Sequence, residues 1–176
     1  METILPPLAQ PDENIMRLAM EQARLSALDG EVPVGAVVVR DGEVISTGRN
    51  RRELGKNALA HAELEAIDGA CKALGGWRLW QCELYVTLEP CPMCAGAIIN
   101  ARIRRVVYGA SDRKAGSCGS VINLFDLPYN HRPEVIAGFM GEECGQLLTA
   151  FFRTLREKRK EGKLSNGSNG SNGNNE

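Results

Sequence analysis

The feature that most constrains the fold is a strand–helix–strand pattern between residues 82 and 108. Cys82–Leu88 has the composition of a short apolar strand, Pro92–Asn100 that of a helix, and Arg105–Tyr108 that of a second strand. Proline is favoured at the first helical position, so Pro92 marks the helix start and Cys91 its N-cap. Strands joined by a crossover helix of this length pair in parallel within one sheet. The chain is therefore predicted to build a sheet that helices cover.

The segments on either side extend this pattern to a mixed sheet. Asp41-Gly42 separates two apolar, β-branched runs and suits a tight hairpin turn with positive φ. The other predicted elements are, in chain order, a helix that Asp12 caps and that ends near residue 28, strands over 34–40 and 43–47, a helix over 60–74, a strand over 135–137 and a helix over 142–160. Antiparallel and parallel connections together predict an α/β fold with a mixed sheet.

One domain with two unstructured ends is predicted. Residues 1–11 contain Pro6 and Pro7, show no periodicity and are interpreted as a flexible arm. Residues 12–164 form the single domain. Residues 165–176 read SNGSNGSNGNNE, a low-complexity polar tail that cannot bury apolar surface and is predicted to be disordered.

Composition indicates a globular protein and argues against several classes. The 176 residues are 43% hydrophobic and 24% charged, with a formal net charge of −1, so any contact with nucleic acid has to come from a local basic patch. No apolar run is long enough to cross a bilayer, and the first residues lack the pattern of a signal peptide. We therefore expect a cytoplasmic protein whose six cysteines are thiols or metal ligands and not disulfides.

The stretch TLEPCPMCAG at 87–96 places Cys91 and Cys94 three positions apart. Such a pair is a redox site, half of a structural zinc site, or two unrelated cysteines. Its position after a strand also suits a redox pair, so that interpretation stays open. A structural zinc site needs four protein ligands. The remaining cysteines are single and scattered, which is typical of buried thiols, and they are Cys71, Cys82, Cys118 and Cys144.

The two histidines of the sequence stand in different contexts. His131 lies in a loop before a predicted strand, and we interpret it as a surface or hydrogen-bonding residue. His61 begins a predicted helix, and with Cys91 and Cys94 it gives one nitrogen and two sulfur ligands. Three protein ligands leave one position of a tetrahedral shell to water, which is the arrangement of a catalytic zinc. Unpaired N–H groups at the helix starts favour negative charge, so both cysteines are expected as thiolates.

Glu63 follows His61 by two positions and is the candidate proton carrier. On a regular helix these two side chains diverge by about 200°, so they approach one point only if the helix end itself faces the metal. An acid in the first turn is also explained by the helix dipole. The combination of H-x-E with a downstream P-C-x-x-C favours the catalytic interpretation.

With His61-Ala62-Glu63 and Pro90–Cys94, the sequence resembles the zinc-dependent nucleoside and base deaminases, most closely the bacterial tRNA-specific adenosine deaminases. The resemblance runs from the first helix to about Arg156. Its other matching segments are GEVPVGA at 30–36, NR at 50–51, YVTLE at 85–89, ARI at 101–103, YGA at 108–110, KAG at 114–116, NHR at 130–132 and FFR at 151–153. Two departures are Asn57-Ala58-Leu59, where the family often has an acidic-proline-threonine run, and Leu155, where it often has arginine.

The resemblance implies a fold, a cofactor and an assembly. The fold would be a three-layer α/β/α sandwich with a five-stranded mixed sheet, like that of cytidine deaminase. One zinc ion per subunit would be held by His61, Cys91 and Cys94. The family also implies a homodimer, with RNA contacting both subunits.

The resemblance also implies a reaction. A water whose pKa zinc lowers to about 7 would attack C6 of adenine, and Glu63 would carry its proton to N1 and then to the leaving ammonia, which yields inosine. The expected substrate is the wobble adenosine of a tRNA anticodon, because a loop base is already unpaired. Asn50 and the backbone N–H of Ala62 would contact the base, and Asp112 would lie near the ribose.

The end of the last predicted helix is the expected RNA surface. Residues 151–163 carry six basic and two acidic side chains, a net charge of +4. We assign Phe152, Arg153 and Arg156 to RNA contacts. The alternative is that the aromatic side chains belong to the core and the charges only solvate the helix.

Two other functions stay open. A deaminase of free guanine, cytosine or a nucleoside would share the metal motif, although the matches outside the motif and the basic end argue against it. A non-catalytic zinc module for RNA binding would keep the ligands and would not need Glu63.

Overall fold

The computed structural model describes the backbone of residues 7–167 and the side chains of residues 7–161. Within this range the helices are α1 (Glu13–Leu28), α2 (Ala62–Leu74), α3 (Pro92–Ala101) and α4 (Gly141–Gly167). The strands are β1 (Gly35–Arg40), β2 (Glu43–Arg49), β3 (Cys82–Leu88), β4 (Arg105–Ala110) and β5 (Glu134–Ile136). A single 3₁₀ turn covers Leu124–Asp126.

The strands form one mixed sheet in the order β2-β1-β3-β4-β5. Strand β1 pairs antiparallel with both β2 and β3, whereas β3, β4 and β5 run parallel to one another. The β3–α3–β4 segment is therefore the predicted crossover unit, and the five-stranded mixed sheet is confirmed. Parallel pairing brings the carboxyl ends of β3 and β4 to the same edge, from which the segments after Leu88 and Ala110 leave side by side.

The opening hairpin turns at Asp41 and Gly42, both with positive φ (53° and 80°). This backbone matches a primed two-residue turn, whose twist fits that of the flanking strands. The turn was predicted from the Asp-Gly pair, and it sets the register in which Arg40 faces Glu43.

Helices cover both faces of the sheet and make three layers. Because side chains alternate along a strand, Val37 and Tyr85 pack with α1 and α4, whereas Val38 and Leu84 pack with α2 and α3. The predicted α/β/α sandwich is confirmed. Among the described helices, none is both long enough and apolar enough to span a bilayer.

The helix boundaries differ from the sequence prediction by more than one residue at two places. Helix α2 begins at Ala62 and not at Ala60, so His61 is its N-cap. Helix α4 continues to Gly167, past the predicted end near Lys160. Residues 165–167, assigned to the disordered tail, therefore lie in this helix, and residues 168–176 lie outside the described range.

The described part of the N-terminal arm is tied to the domain. Residues 7–11 form no regular element, but the carbonyl oxygen of Ala9 accepts a hydrogen bond of 2.7 Å from Arg105 Nη1. Arg105 is buried in β4 and also pairs with Glu83. This contact holds the end of the arm against the sheet, while residues 1–6 lie outside the described range.

Candidate active site

Two helix starts meet at the carboxyl edge of the sheet. Cys91 is the N-cap of α3, with φ −74° and ψ 174°, and follows β3 by a short segment that includes Pro90. His61 is the N-cap of α2, with φ −89° and ψ 150°. Neither side chain makes a capping hydrogen bond to its own helix, so both are free to point at a common centre.

The three predicted ligands come together there. His61 Nδ1 lies 3.7 Å from Cys91 Sγ and 3.6 Å from Cys94 Sγ, and the three donor atoms all lie within 4.8 Å of one another. A tetrahedral zinc with ordinary Zn–N and Zn–S bonds separates nitrogen from sulfur by about 3.6 Å. One nitrogen and two sulfurs at these separations therefore fit a zinc ion.

The two thiols differ strongly in acidity. A hydrogen bond from Cys94 lowers the pKa of Cys91 to about 4, and the same interaction raises the pKa of Cys94 above its ordinary value. Hydrogen bonding to Cys91 also raises the pKa of His61. Without a cation, the pKa is therefore lowered at Cys91 only, and the mutual hydrogen bond accounts for the opposite shifts of the two thiols. Metal binding at such a site releases the proton of a thiol ligand.

Glu63 lies in the first turn of α2 and is buried, with 4% of its surface exposed. Burial raises the pKa of its carboxyl group above the ordinary value. Its approach to the centre follows from the late start of the helix. Because His61 precedes α2 in extended backbone, the 200° divergence expected within a helix does not apply, and both side chains line the same cavity.

The cavity has a volume of about 240 Å³, below the roughly 300–1,000 Å³ that is usual for drug-sized ligands. It therefore suits one small planar group. Of the predicted substrate residues, Asn50, Ala62 and Asp112 line this cavity together with His61, Glu63 and Cys91.

Asn50 is held firmly in the cavity wall. Its backbone N–H donates to Val34 O at 3.0 Å, and its side-chain Nδ2 donates to Val32 O at 3.1 Å. Ser26 Oγ, buried on α1, donates to the Asn50 carbonyl at 3.0 Å. These bonds fix the orientation of the side-chain amide before any ligand arrives.

The remaining predicted residues lie outside the cavity. Phe152 and Arg156 line a shallow surface depression of about 380 Å³ with Lys114, and Arg153 is exposed on the same helix. Phe151 turns toward the groove between α1 and α4. Phe151 therefore packs against the domain, while Phe152 stays 40% exposed.

The other histidine and the remaining cysteines lie apart from the metal group. His131 Nε2 contacts the Ile103 carbonyl at 2.7 Å, consistent with a hydrogen-bonding role. Burial raises the pKa of Cys82 and Cys144 to about 11 and that of Cys118 to about 12. These thiols stay neutral and unreactive at physiological pH.

Two buried acids in the cavity wall were not predicted. Glu31 Oε1 accepts a 2.6 Å hydrogen bond from the Leu54 N–H, and its buried Oε2 has no partner among the described residues. Glu89 is also buried. Burial raises the pKa of its carboxyl group, but hydrogen bonds from Ser120, Asp112 and Cys118 outweigh burial and lower the pKa. The only sequence signal for these two acids was their position next to apolar runs, within segments that match the family.

Comparison with known proteins shows that this chain is similar to deaminases. The family model of the MafB19-like deaminases matches residues 10–156. A tRNA-specific adenosine deaminase of Bacillus subtilis is 50% identical over 153 residues, which cover 86% of this chain and 95% of the relative. A solved structure from a study of A-to-I editing by tRNA:A34 deaminases at the wobble position has a TM-score of 0.76 at 46% identity and covers 78% of this chain and 100% of its own. A guanine deaminase of Nitrosomonas europaea has a TM-score of 0.66 at 25% identity, covering 84% and 87%.

Proposed function

This chain belongs to the MafB19-like deaminase family, and on that premise we propose that it converts adenosine to inosine at the wobble position of a tRNA anticodon. The observation that carries the proposal is the grouping of His61, Cys91 and Cys94 at zinc-like separations beside buried Glu63. The 50% identity to a tRNA-specific adenosine deaminase over most of both chains supports the same substrate.

The metal centre is proposed to hold one zinc ion per subunit through His61, Cys91 and Cys94. A bound zinc supplies a water of lowered pKa and an open coordination position. Glu63 takes a proton from the attacking water and delivers it to N1 of adenine as C6 is attacked. It then carries the remaining proton of the hydroxyl added at C6 to the amino group, the C6–N bond breaks, and adenosine and water have given inosine and ammonia.

The cavity wall provides the proposed substrate contacts. Asn50 and the N–H of Ala62 are the proposed contacts to the edge of the base, and Asp112 is the proposed contact to the ribose. All three residues line the cavity, which supports the proposal. A cavity of about 240 Å³ accepts a single base, so the target base has to leave its stack. That step costs little for an unpaired loop nucleotide.

The exposed surface beside the cavity is the proposed RNA-binding region. Phe152 is exposed beside Lys114 and Arg156, which supports base stacking flanked by phosphate contacts. Arg153 extends this surface along α4.

A homodimer in the cytoplasm is the proposed state of the protein. Four exposed apolar side chains between β4 and β5 support a contact with a second copy, and they are Val121, Ile122, Leu127 and Tyr129. In such a dimer RNA would contact both subunits. Sedimentation of the purified protein tests the assembly.

The test is mass detection of inosine in a tRNA anticodon stem-loop after incubation with the purified protein. Wild type should produce inosine, whereas Glu63→Ala should bind zinc and RNA and produce none. Loss of zinc in this variant would make Glu63 a ligand, and retained deamination would disprove its proton-transfer role.

A free-base deaminase is the second candidate, because a guanine deaminase shares this fold with a TM-score of 0.66. Incubating the same preparation with free guanine, cytosine and cytidine separates the two functions. Deamination of guanine without reaction of the stem-loop would overturn the tRNA assignment. Zinc and RNA binding without any deamination would indicate a binding module.

A further inference from the structure

Glu89 occupies the short connection between β3 and the first cysteine ligand. It follows Leu88, the last residue of β3, and precedes Pro90 and Cys91. Its side chain is 2% exposed and contributes to the cavity wall. A carboxylate this deeply buried needs several hydrogen-bond donors to offset the loss of water.

The donors all come from one loop, residues 111–120. Glu89 Oε1 accepts from the N–H groups of Cys118 (3.1 Å) and Ser120 (2.9 Å). Oε2 accepts from the Asp112 N–H at 3.0 Å and from the Ser120 hydroxyl. One side chain therefore binds both ends of the 111–120 loop.

Backbone bonds tie the same two segments together. The Glu89 N–H donates to Ala110 O at 2.8 Å, and the Ser117 N–H donates to Pro90 O at 2.9 Å. The fit is close at the centre of the loop, where a Cβ atom on Gly116 would overlap the Glu89 carboxyl group. The loop thus wraps around a charged side chain with little spare room.

The 111–120 loop separates the metal cavity from the basic end of α4. Asp112 and Ala115 line the cavity, whereas Lys114 lines the surface depression that also contains Phe152 and Arg156. The position of this loop therefore sets the distance between a nucleotide in the cavity and a nucleotide on the outer surface.

We propose that Glu89 is a positioning residue that fixes the 111–120 loop to the segment carrying Cys91, so that the cavity wall and the outer RNA surface keep one spacing. It touches neither metal nor reacting atoms in this role. The inference rests on the proposed function for its effect on substrate, while the contact itself is testable without substrate.

The test compares Glu89→Gln with wild type. The amide NH₂ replaces one acceptor oxygen and faces N–H donors, so backbone amides in residues 111–120 should exchange hydrogen faster while those of β3 and β4 stay protected. The KM for the anticodon stem-loop should rise by about tenfold, the factor for losing one charge-assisted hydrogen bond. Zinc content and kcat should stay near wild type. Glu43→Gln, which changes an exposed acid on β2, should change nothing.

Each outcome decides the proposal. Unchanged exchange in residues 111–120, or faster exchange with an unchanged KM, would overturn it, and so would loss of zinc. If Glu89→Gln does not fold, Ser120→Ala removes one donor and should show the same pattern more weakly. If wild type does not deaminate the stem-loop, the proposed function fails, and the exchange measurement still decides whether Glu89 holds the loop.

Discussion

At the scale of single residues, the N-cap position of His61 determines which side chains share the cavity. An N-cap has extended backbone, so its side chain is not bound to the helical progression that directs the residues after it. His61 thereby faces the two sulfurs while Glu63 enters from the first turn. The candidate metal ligands and the candidate proton carrier are thus brought together by the starts of two helices, α2 and α3.

The first prediction concerns the sulfur ligands. Cys94→Ser should lower the zinc content of the purified protein by at least about tenfold, because a buried hydroxyl is a poor replacement for one of two thiolates. Zinc per chain is measured by atomic emission. Cys71→Ser is the matched control, since Cys71 lies on α2 outside the metal group. Full zinc content in Cys94→Ser would contradict the assignment of this ligand.

The second prediction concerns the buried thiols and pH. Burial raises the pKa of Cys82 and Cys144 to about 11 and that of Cys118 to about 12, from an ordinary value of 9.0. Above pH 9 the unfolded chain releases protons that the folded chain retains, so stability falls as pH rises from 9 toward 12 and is unaffected by these groups below pH 8.

Urea unfolding at pH 8 and pH 10 measures this effect. The drop in unfolding free energy between the two pH values should be smaller in Cys144→Ala than in wild type, because one contributing thiol is absent. An equal or larger drop in the variant would show that Cys144 does not contribute.

At the scale of secondary-structure elements, the site depends on the close approach of β2 to the start of α2. Gly48 in β2 faces this start, and a Cβ atom there would overlap the carbonyl oxygen of Ala62 and approach Ala66 N to 2.6 Å. Neither backbone group can move without shifting the turn that carries Glu63. Glycine is therefore needed at position 48 because α2 packs closely against β2, and not because of a turn.

The third prediction follows from that contact. Gly48→Ala should destabilise the protein by more than about 2 kcal/mol through overpacking and should lower kcat in the folded fraction, because α2 carries Glu63. Gly145→Ala is the control. Gly145 lies in α4, and a Cβ atom there would be 4.0 Å from Ala110 Cβ, an ordinary van der Waals contact. Alanine in a helix interior is expected to stabilise by about 0.5–1 kcal/mol. Equal stability of both variants would mean that α2 adjusts at no cost.

Local patterns predicted most elements, and nonlocal contacts account for the rest. Strand β3 was predicted with its observed bounds, Cys82–Leu88, because an apolar run ends at proline. The start of α2 was placed two residues early, since histidine is not a favoured N-cap and Ala60 suits a helix. The antiparallel pairing of β1 with β3 joins distant segments, and no local pattern encodes it.

The candidate site shows the same division. Motif spacing and family resemblance selected His61, Glu63, Cys91 and Cys94, and the structure brings these residues together, while their roles stay predictions. Glu89 was missed because its partners are backbone N–H groups 23 to 31 positions away in the sequence. A motif identifies side chains by residue type. A backbone N–H group is present at nearly every residue, so the sequence does not show which one will bind Glu89.

At the scale of the whole molecule, RNA binding has to arise from charge distribution and not from net charge. The chain carries 21 basic and 22 acidic residues, so its overall field does not attract phosphates. The described basic side chains of α4, within residues 153–160, are instead exposed, and Arg156 lies beside Lys114 and Phe152 in the surface depression outside the cavity. A local patch of this kind gives an affinity that depends steeply on salt.

The fourth prediction tests this patch directly. Replacing Arg153, Arg156 and Lys160 with alanine should weaken binding of the anticodon stem-loop and reduce the slope of log affinity against log salt by about 2, because each lost phosphate contact removes about 0.7 for a single strand. Fluorescence anisotropy at salt concentrations from about 50 to about 300 mM measures both the affinity and its salt slope. Replacing Arg40, Lys72 and Arg78 removes the same charge elsewhere and should leave the slope unchanged. If the two triple variants lose equal slope, binding follows total charge, and the exposed cations of α4 only solvate the helix.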